Sequence, residues 1–226
     1  MRERLLDVYR RLLAFYGPQG WWPGDSTPFV VVIGAILTQS VAWKSVERAL
    51  EKLRESNLLS VEALLDAPDE ELAAAIRSAG YFNAKARKLK AFATMLTERF
   101  DGRLEQLFAL PADELRAQLL ATYGIGPETA DDIVLYAAGK PAFVIDAYTR
   151  RTFDRLGVRP SGDSYGAWRS LFIDALPPDA PLFNEYHALI DAHAKVTCRK
   201  EPLCSGCPLL DICPTGKARL QSTTDG

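Results

Sequence analysis

The chain has 226 residues, 48% apolar and 25% charged, enough to bury the core of one large or two small domains and inconsistent with a disordered or fibrous protein. Its 27 Lys+Arg against 29 Asp+Glu leave a formal charge of -2, which carries no global signature of a nucleic-acid binder. No run reaches the roughly 18 to 20 apolar residues of a membrane-spanning helix, and the opening Met1-Arg-Glu-Arg-Leu-Leu-Asp reads as mixed-charge helix rather than signal peptide, so a cytoplasmic protein is expected.

Along the chain, Leu5, Val8, Tyr9, Leu12, Leu13 and Tyr16 repeat at helical spacing until Gly17-Pro18 closes the segment. A loop containing Trp21-Trp22-Pro23-Gly24 follows. Thr27-Pro28 supplies an N-cap and a first-turn proline for a segment reaching Gln39, which reads as buried helix although Phe29 to Ile33 fits a buried strand equally well. Amphipathic helices are then predicted over about residues 41–55, 68–78, 84–100, 111–122, 128–138, 145–156, 165–176 and 182–196. Short connectors join them and no fixed-period repeat occurs. The expected fold class is all-α.

Three motifs carry chemistry. Tyr123-Gly124-Ile125-Gly126-Pro127-Glu128-Thr129-Ala130 lies between two helices, where Gly124 and Gly126 permit a tight turn with positive backbone dihedrals. Backbone N–H groups at the start of the second helix would then cradle a phosphate, although the same glycines also suit a closely packed αα-hairpin. In Val144-Ile145-Asp146-Ala147-Tyr148, Asp146 opens a helix, either as a simple N-cap or as a carboxylate returned to the hairpin's side 20 residues after Gly126.

The third motif holds all four cysteines, Cys198, Cys204, Cys207 and Cys213, within 16 residues, spaced Cys-x5-Cys-x2-Cys-x5-Cys. In a reducing compartment such a group is a metal site sooner than a disulfide framework. Four thiolates suit Zn²⁺ or a four-iron cluster. One Cys-x2-Cys between two longer arms, rather than two close knuckles, favours [4Fe–4S], with Zn²⁺ as the alternative.

In this order, and with helices throughout, the motifs resemble the endonuclease III family of helix-hairpin-helix (HhH-GPD) DNA glycosylases over about residues 28–215. Ile36-Leu37-Thr38-Gln39-Ser40 resembles the segment whose glutamine fills the gap left by a flipped base. Gly80-Tyr81-Phe82-Asn83-Ala84-Lys85-Ala86 resembles a second family turn, and His193-Ala-Lys195-Val-Thr-Cys198 the approach to the cluster loop. The resemblance implies a six-helix barrel over 25–135 with the hairpin at 123–130, and a second domain from 1–24 plus 136–226 with the cluster loop at 198–213. It implies double-stranded DNA with a damaged base as partner, lying across the cleft between the domains, and base flipping before excision. A monomer with no membrane association is expected, nucleoid-associated if the source is a bacterium.

Departures from the family sharpen the expectation. Where bifunctional members have a lysine after the hairpin, this chain has Glu128, which cannot form a Schiff base. The resemblance therefore implies a monofunctional glycosylase with Asp146 as catalytic carboxylate. Trp22, Pro23 and Trp43 are similar to the base pocket of the 3-methyladenine subtype, in which aromatic faces attract a cationic alkylated purine by about 0.5 to 2 kcal/mol. That subtype lacks a cluster, so the chain mixes features. Alternatives are a glycosylase/AP lyase for oxidised pyrimidines and a DNA-binding homologue without catalysis; a ferredoxin-like electron carrier fits poorly.

Local charge offsets the neutral total. Lys85, Arg87, Lys88 and Lys90 lie on one helix, Arg150 and Arg151 follow Asp146, and Lys195, Arg199 and Lys200 lead into the cysteines. The first group reads equally as a solvated face, and the last is the better candidate for DNA phosphates. Asp131 and Asp132 place negative charge near the hairpin, and Gln39, Gly124 and Gly126 complete the expected DNA contacts.

Overall fold

The computed structural model describes residues 1–22, 24 and 26–224; Pro23, expected in the base pocket, lies outside the described residues. The α-helices are α1 (Arg2–Tyr16), α2 (Pro28–Leu37), α3 (Trp43–Glu55), α4 (Val61–Asp66), α5 (Asp69–Ala75), α6 (Phe82–Phe100), α7 (Leu104–Ala109), α8 (Ala112–Leu120), α9 (Pro127–Asp132), α10 (Ala147–Arg155), α11 (Tyr165–Ile173), α12 (Ala180–Val196) and α13 (Pro214–Thr224). Helix α9 runs on as a π-helical turn, Ile133–Ala137. No strand occurs among the described residues, as the periodicity predicts. The chain divides into two compact units, Met1–Trp21 with Pro141–Gly226, and Trp22–Lys140.

In the first unit, the buried stripe Leu5, Val8 and Leu12 of α1 meets an aromatic core. Phe143 stacks on Phe172 at 4.0 Å between ring centroids, and Phe183 and Tyr186 meet Phe143 edge-on. Such pairs contribute about 0.5 to 1.5 kcal/mol each beyond their buried area. The Tyr186 hydroxyl donates to the Leu5 carbonyl at 2.6 Å, which ties α12 to α1 and satisfies a fully buried polar atom.

In the second unit, the apolar run legible as helix or strand is helix α2, buried from Val30 to Leu37. A segment without a polar face has to satisfy its own backbone once buried, and a helix does this without a partner strand. Thr27 makes no capping hydrogen bond, so Pro28 marks the start by its fixed φ and missing N–H. The helix expected over 68–78 breaks at Ala75 and resumes as a 3₁₀ turn, Arg77–Ala79. Helices α4 and α7 have six residues each, too few to show a period, and the pattern does not predict them.

The charged run on α6 is not a solvated face. Lys85 is 2% exposed, and its ammonium donates to the carbonyls of Leu37, Gln39 and Ala79 at 2.7 to 2.8 Å. It thereby closes the C-terminus of α2 and pins the turn ahead of α6. Lys90 is bound by Asp69 and the Ala67 carbonyl, and Lys88 by Gln39; Arg87 alone of the four is exposed. Burial, with the Lys88 charge beside it, pushes the Lys85 pKa down to about 8.

Lys85→Met keeps the apolar stem and orphans three buried carbonyls, so it is expected to cost about 3 kcal/mol in a urea titration with helix content unchanged. A loss below about 0.5 kcal/mol would show that the carbonyls find other partners. Between about 8 and the ordinary 10.5 the unfolded chain binds more protons at Lys85 than the folded one, so this group makes stability rise with pH over that window. The same titrations run across it should show the rise flattened in the variant.

Candidate functional site

Helices α8 and α9 form the expected hairpin. Ile125 N–H donates to the Thr122 carbonyl, and Gly124 takes a φ of 81°, where a side chain is strained. A Cβ at Gly124 would also stand 2.3 Å from Cγ of Lys88, whose stem crosses the turn. Gly126 differs from the expectation: its φ of -87° is one any residue adopts, because it serves as the extended N-cap of α9. Glu128 is exposed in the first turn of α9, where helix polarity favours an acid.

Gln39 is engaged with this hairpin. Its Nε2 donates to the Gly124 carbonyl at 3.1 Å and to Thr129 Oγ1 at 2.9 Å, while Lys88 Nζ donates to its Oε1. The acidic pair beyond the hairpin does not face solvent. Asp131 is fully buried and receives Arg116 at 2.7 and 3.3 Å, and Asp132 is 7% exposed.

Trp22 and Trp43 are brought together, but not as parallel faces of a slot. Their rings meet edge to face at 5.1 Å, and Tyr136 lies 5.1 Å from Trp22. Gly34 of α2 makes room for both: a Cβ there would lie 3.3 Å from Trp22 Cζ2 and 3.4 Å from Trp43 Cη2. Trp43 Nε1 donates to Glu47. A helix glycine inside an apolar run was the sequence signal for this aromatic floor.

In the first unit, Asp146 is the N-cap of α10, its Oδ1 accepting the Thr149 N–H at 2.7 Å. Its Oδ2 faces His187 Nε2 of α12 at 3.8 Å, and its side chain is 20% exposed. Burial alone would raise the Asp146 pKa. The nearby His187 and its charge, with the Thr149 amide, outweigh it and hold the carboxyl below its ordinary value. Trp21 stacks on the His187 ring at 5.6 Å.

One turn along α12, Asp191 binds Lys195 at 2.7 Å, and Lys195 also lies 6.0 Å from the Tyr148 ring. Burial raises the Asp191 pKa against the pull of Lys195. Lys195 thus has a carboxylate partner, whereas Arg199 and Lys200 hold exposed positions at the start of the cysteine loop. Arg150 bonds Asp163 and Arg151 the carbonyls of Ala194 and Cys198, so both serve the fold. His187 and Asp191 escaped sequence reasoning, although the chain has only two histidines, both on α12.

Cys198, Cys204, Cys207 and Cys213 line one cavity with apolar walls from Leu156, Leu209 and Leu210. Two N–H donors already point at sulfur: Arg155 at Cys198 Sγ and Gly216 at Cys213 Sγ, both 3.3 Å. Neutral His193 joins the rim, its pKa lowered to about 4 by burial and then Arg151, with Nδ1 on the Tyr16 hydroxyl at 3.0 Å and Nε2 4.0 Å from Cys207 Sγ. Burial pushes the Cys207 thiol up to about 11 and raises that of Cys213, so a bound cation is what would favour the thiolate at these two. Among the described residues, no three His, Cys, Asp or Glu side chains converge on a single-ion site. Thiols lining one apolar cavity, with N–H groups aimed at two of the sulfurs, suit a metal group held by thiolates.

A family model described as HhH-GPD superfamily base excision DNA repair protein matches residues 33–178, well over half of the chain. A Methanocaldococcus jannaschii protein, provisionally named a DNA repair glycosylase, is 43% identical over 213 residues, covering 93% of this chain and 96% of that one. Two solved structures share the fold. A non-covalent endonuclease III–DNA complex matches with a TM-score of 0.84 at 24% identity, covering 98% of this chain and 99% of that chain. The H. pylori 3-methyladenine DNA glycosylase bound to 1,N6-ethenoadenine matches with a TM-score of 0.75 at 23% identity, covering 84% of this chain and 97% of that chain. The chain belongs to the HhH-GPD superfamily of base excision DNA repair proteins and is a DNA repair glycosylase with the endonuclease III fold.

Proposed function

We propose that this glycosylase is monofunctional, excising an alkylated purine by hydrolysis with Asp146 as its carboxylate and without a Schiff base. The observation that carries the reading is the state of Asp146: one oxygen fixed by the α10 terminus, the other facing His187, and the pKa held low although the group is largely buried. An anion kept ionised in a partly desolvated place suits a developing oxocarbenium ion. As the bond from C1′ to the base nitrogen breaks, its electron pair leaves with the base, which for a cationic purine departs neutral. Water adds to C1′, and Asp146 takes its proton. Glu128 offers no amine at the position that the resemblance gives to the Schiff-base lysine.

Trp22 and Trp43 are the proposed stacking surface, and the likeness in fold to a 3-methyladenine glycosylase supports the purine class. Because the rings now meet edge to face, one of them has to turn before a base can lie flat between them. Gln39, proposed as the gap filler, has to give up its bonds to Gly124, Thr129 and Lys88, which frees the Lys88 ammonium beside the hairpin at the same time. Arg199 and Lys200, with the backbone around Gly124 and Gly126, are the proposed phosphate contacts, and Lys195 joins them only by loosening from Asp191.

The four cysteines are proposed to hold a [4Fe–4S] cluster, which supplies a rigid cross-link for the loop that carries Arg199 and Lys200. Protein purified without oxidation is then brown with broad visible absorbance, and Cys207→Ser loses that colour; a colourless protein with one equivalent of zinc would replace the cluster with Zn²⁺.

Excision is best read on a panel of duplex oligonucleotides carrying 3-methyladenine, 7-methylguanine, thymine glycol or a thymine mismatch. Alkylated purines are expected to be released fastest, and Asp146→Asn to slow release at least about 100-fold with DNA binding retained. Borohydride should trap no covalent adduct. Trapping would overturn the monofunctional reading and direct attention to Lys140 and Lys195, and fastest release of thymine glycol would favour the oxidised-pyrimidine alternative. Binding without release of any base would favour a non-catalytic homologue.

A further inference from the structure

We propose that His187 is a positioning residue for base excision, setting the orientation and ionisation of the Asp146 carboxylate through its Nε2. The inference rests on the reading of Asp146 as the catalytic carboxylate. A carboxylate at a helix N-cap has one oxygen fixed by backbone and another free to rotate out of register. Here Oδ1 is fixed by Thr149 N–H at 2.7 Å, and Oδ2 looks at His187 Nε2 at 3.8 Å. A small approach of the two brings the second oxygen within hydrogen-bond range.

The imidazole is built into its place. It is 5% exposed, Trp21 stacks on it at 5.6 Å with 29° between the rings, and it rises from a long helix. Burying an imidazole with this care is costly unless it does something there. The other histidine, His193, faces the thiol loop on the far stretch of the same helix, so His187 alone serves Asp146. Among the described residues, few charged groups surround the pair. From α12 they are Asp191 and its partner Lys195. On α10, Arg151 turns to the carbonyls of Ala194 and Cys198, and from α1 Tyr9 and Tyr16 go to Tyr186 and His193. Asp191, one turn along α12, is electrostatically coupled to both His187 and Asp146.

The test is the pH dependence of single-turnover excision, measured on the panel duplex that the wild-type chain processes fastest, for His187→Phe and His187→Gln. With the imidazole gone the Asp146 carboxyl titrates at higher pH, so the acid limb of the profile should move up by about one unit in His187→Phe, with the plateau about tenfold lower. His187→Gln, whose amide can still donate to Oδ2, should recover most of the plateau and leave the limb displaced. A purely packing role predicts a lower plateau and an unmoved limb, and that result in either variant overturns the proposal. Should His187→Phe fail to fold, the glutamine variant and a carboxyl-carbon NMR titration of Asp146 in the DNA-free protein read the same displacement. Asp146→Asn separates the layers: if it still excises, the parent reading falls, whereas an inactive Asp146→Asn with an unmoved limb removes His187 alone.

Discussion

Arg151 and Arg155 stand one turn apart on α10 and donate to the carbonyls of Ala194, Cys198, Arg199 and Lys200 at 2.6 to 3.3 Å. These carbonyls belong to the C-terminus of α12 and the first residues of the thiol loop, where the helix dipole leaves negative charge and unpaired acceptors. Hydrogen bonds to a guanidinium contribute about 1.5 to 3 kcal/mol each, so this junction is among the most strongly held in its unit. The other end of α10 is Asp146. One nine-residue helix therefore carries the candidate carboxylate at its start and grips both the helix of His187 and the cysteine loop further along.

The second unit solves a similar problem with a lysine. The C-terminus of α2 delivers Gln39 to the hairpin, and its last carbonyls would be orphaned inside the unit without Lys85. The same device removes cations from the surface. Lys85, Lys88, Lys90, Arg116, Arg151 and Arg155 are all bound to groups of the chain itself. Asp131 and Asp191 are likewise held by Arg116 and Lys195. Of these cations only Lys90, Arg116 and Lys195 face carboxylates, and the others keep their charge on neutral acceptors, so a net charge of -2 does not say where charge lies on the surface that a duplex would meet.

This bears on what the sequence can reveal. Long helices with an apolar stripe, such as α1 and α12, are legible because a 3.6-residue period survives over several turns. The six-residue helices α4 and α7 are not, and neither is the break at Ala75, where no glycine or proline stands. The cysteines and the hairpin are legible because their chemistry demands particular residue types at particular spacings. Lys85 is not, since polarity alone assigns lysine to solvent and only the three converging carbonyls justify its burial. The acidic pair after the hairpin misleads for the same reason: Arg116, 15 residues earlier, claims Asp131 through the fold. Gly126 misleads differently, since a glycine can sit in a turn without using its freedom, and the extended N-cap needs only the absence of a clash.

Glu128 and Asp146 make sense together when the leaving group is considered. On the proposed reading a cationic purine leaves as a neutral molecule, and the remaining task is to receive positive charge on the sugar at the right place, which a well-oriented carboxylate does. Orientation is then where sequence and fold are spent: a backbone N–H on one oxygen, an imidazole by the other, an indole on the imidazole, and two arginines fixing the helix that holds them. At the position that the resemblance gives to the amine, Glu128 stands in the first turn of α9. Glutamate there suits the positive end of α9, and on the proposed reading the covalent route is closed.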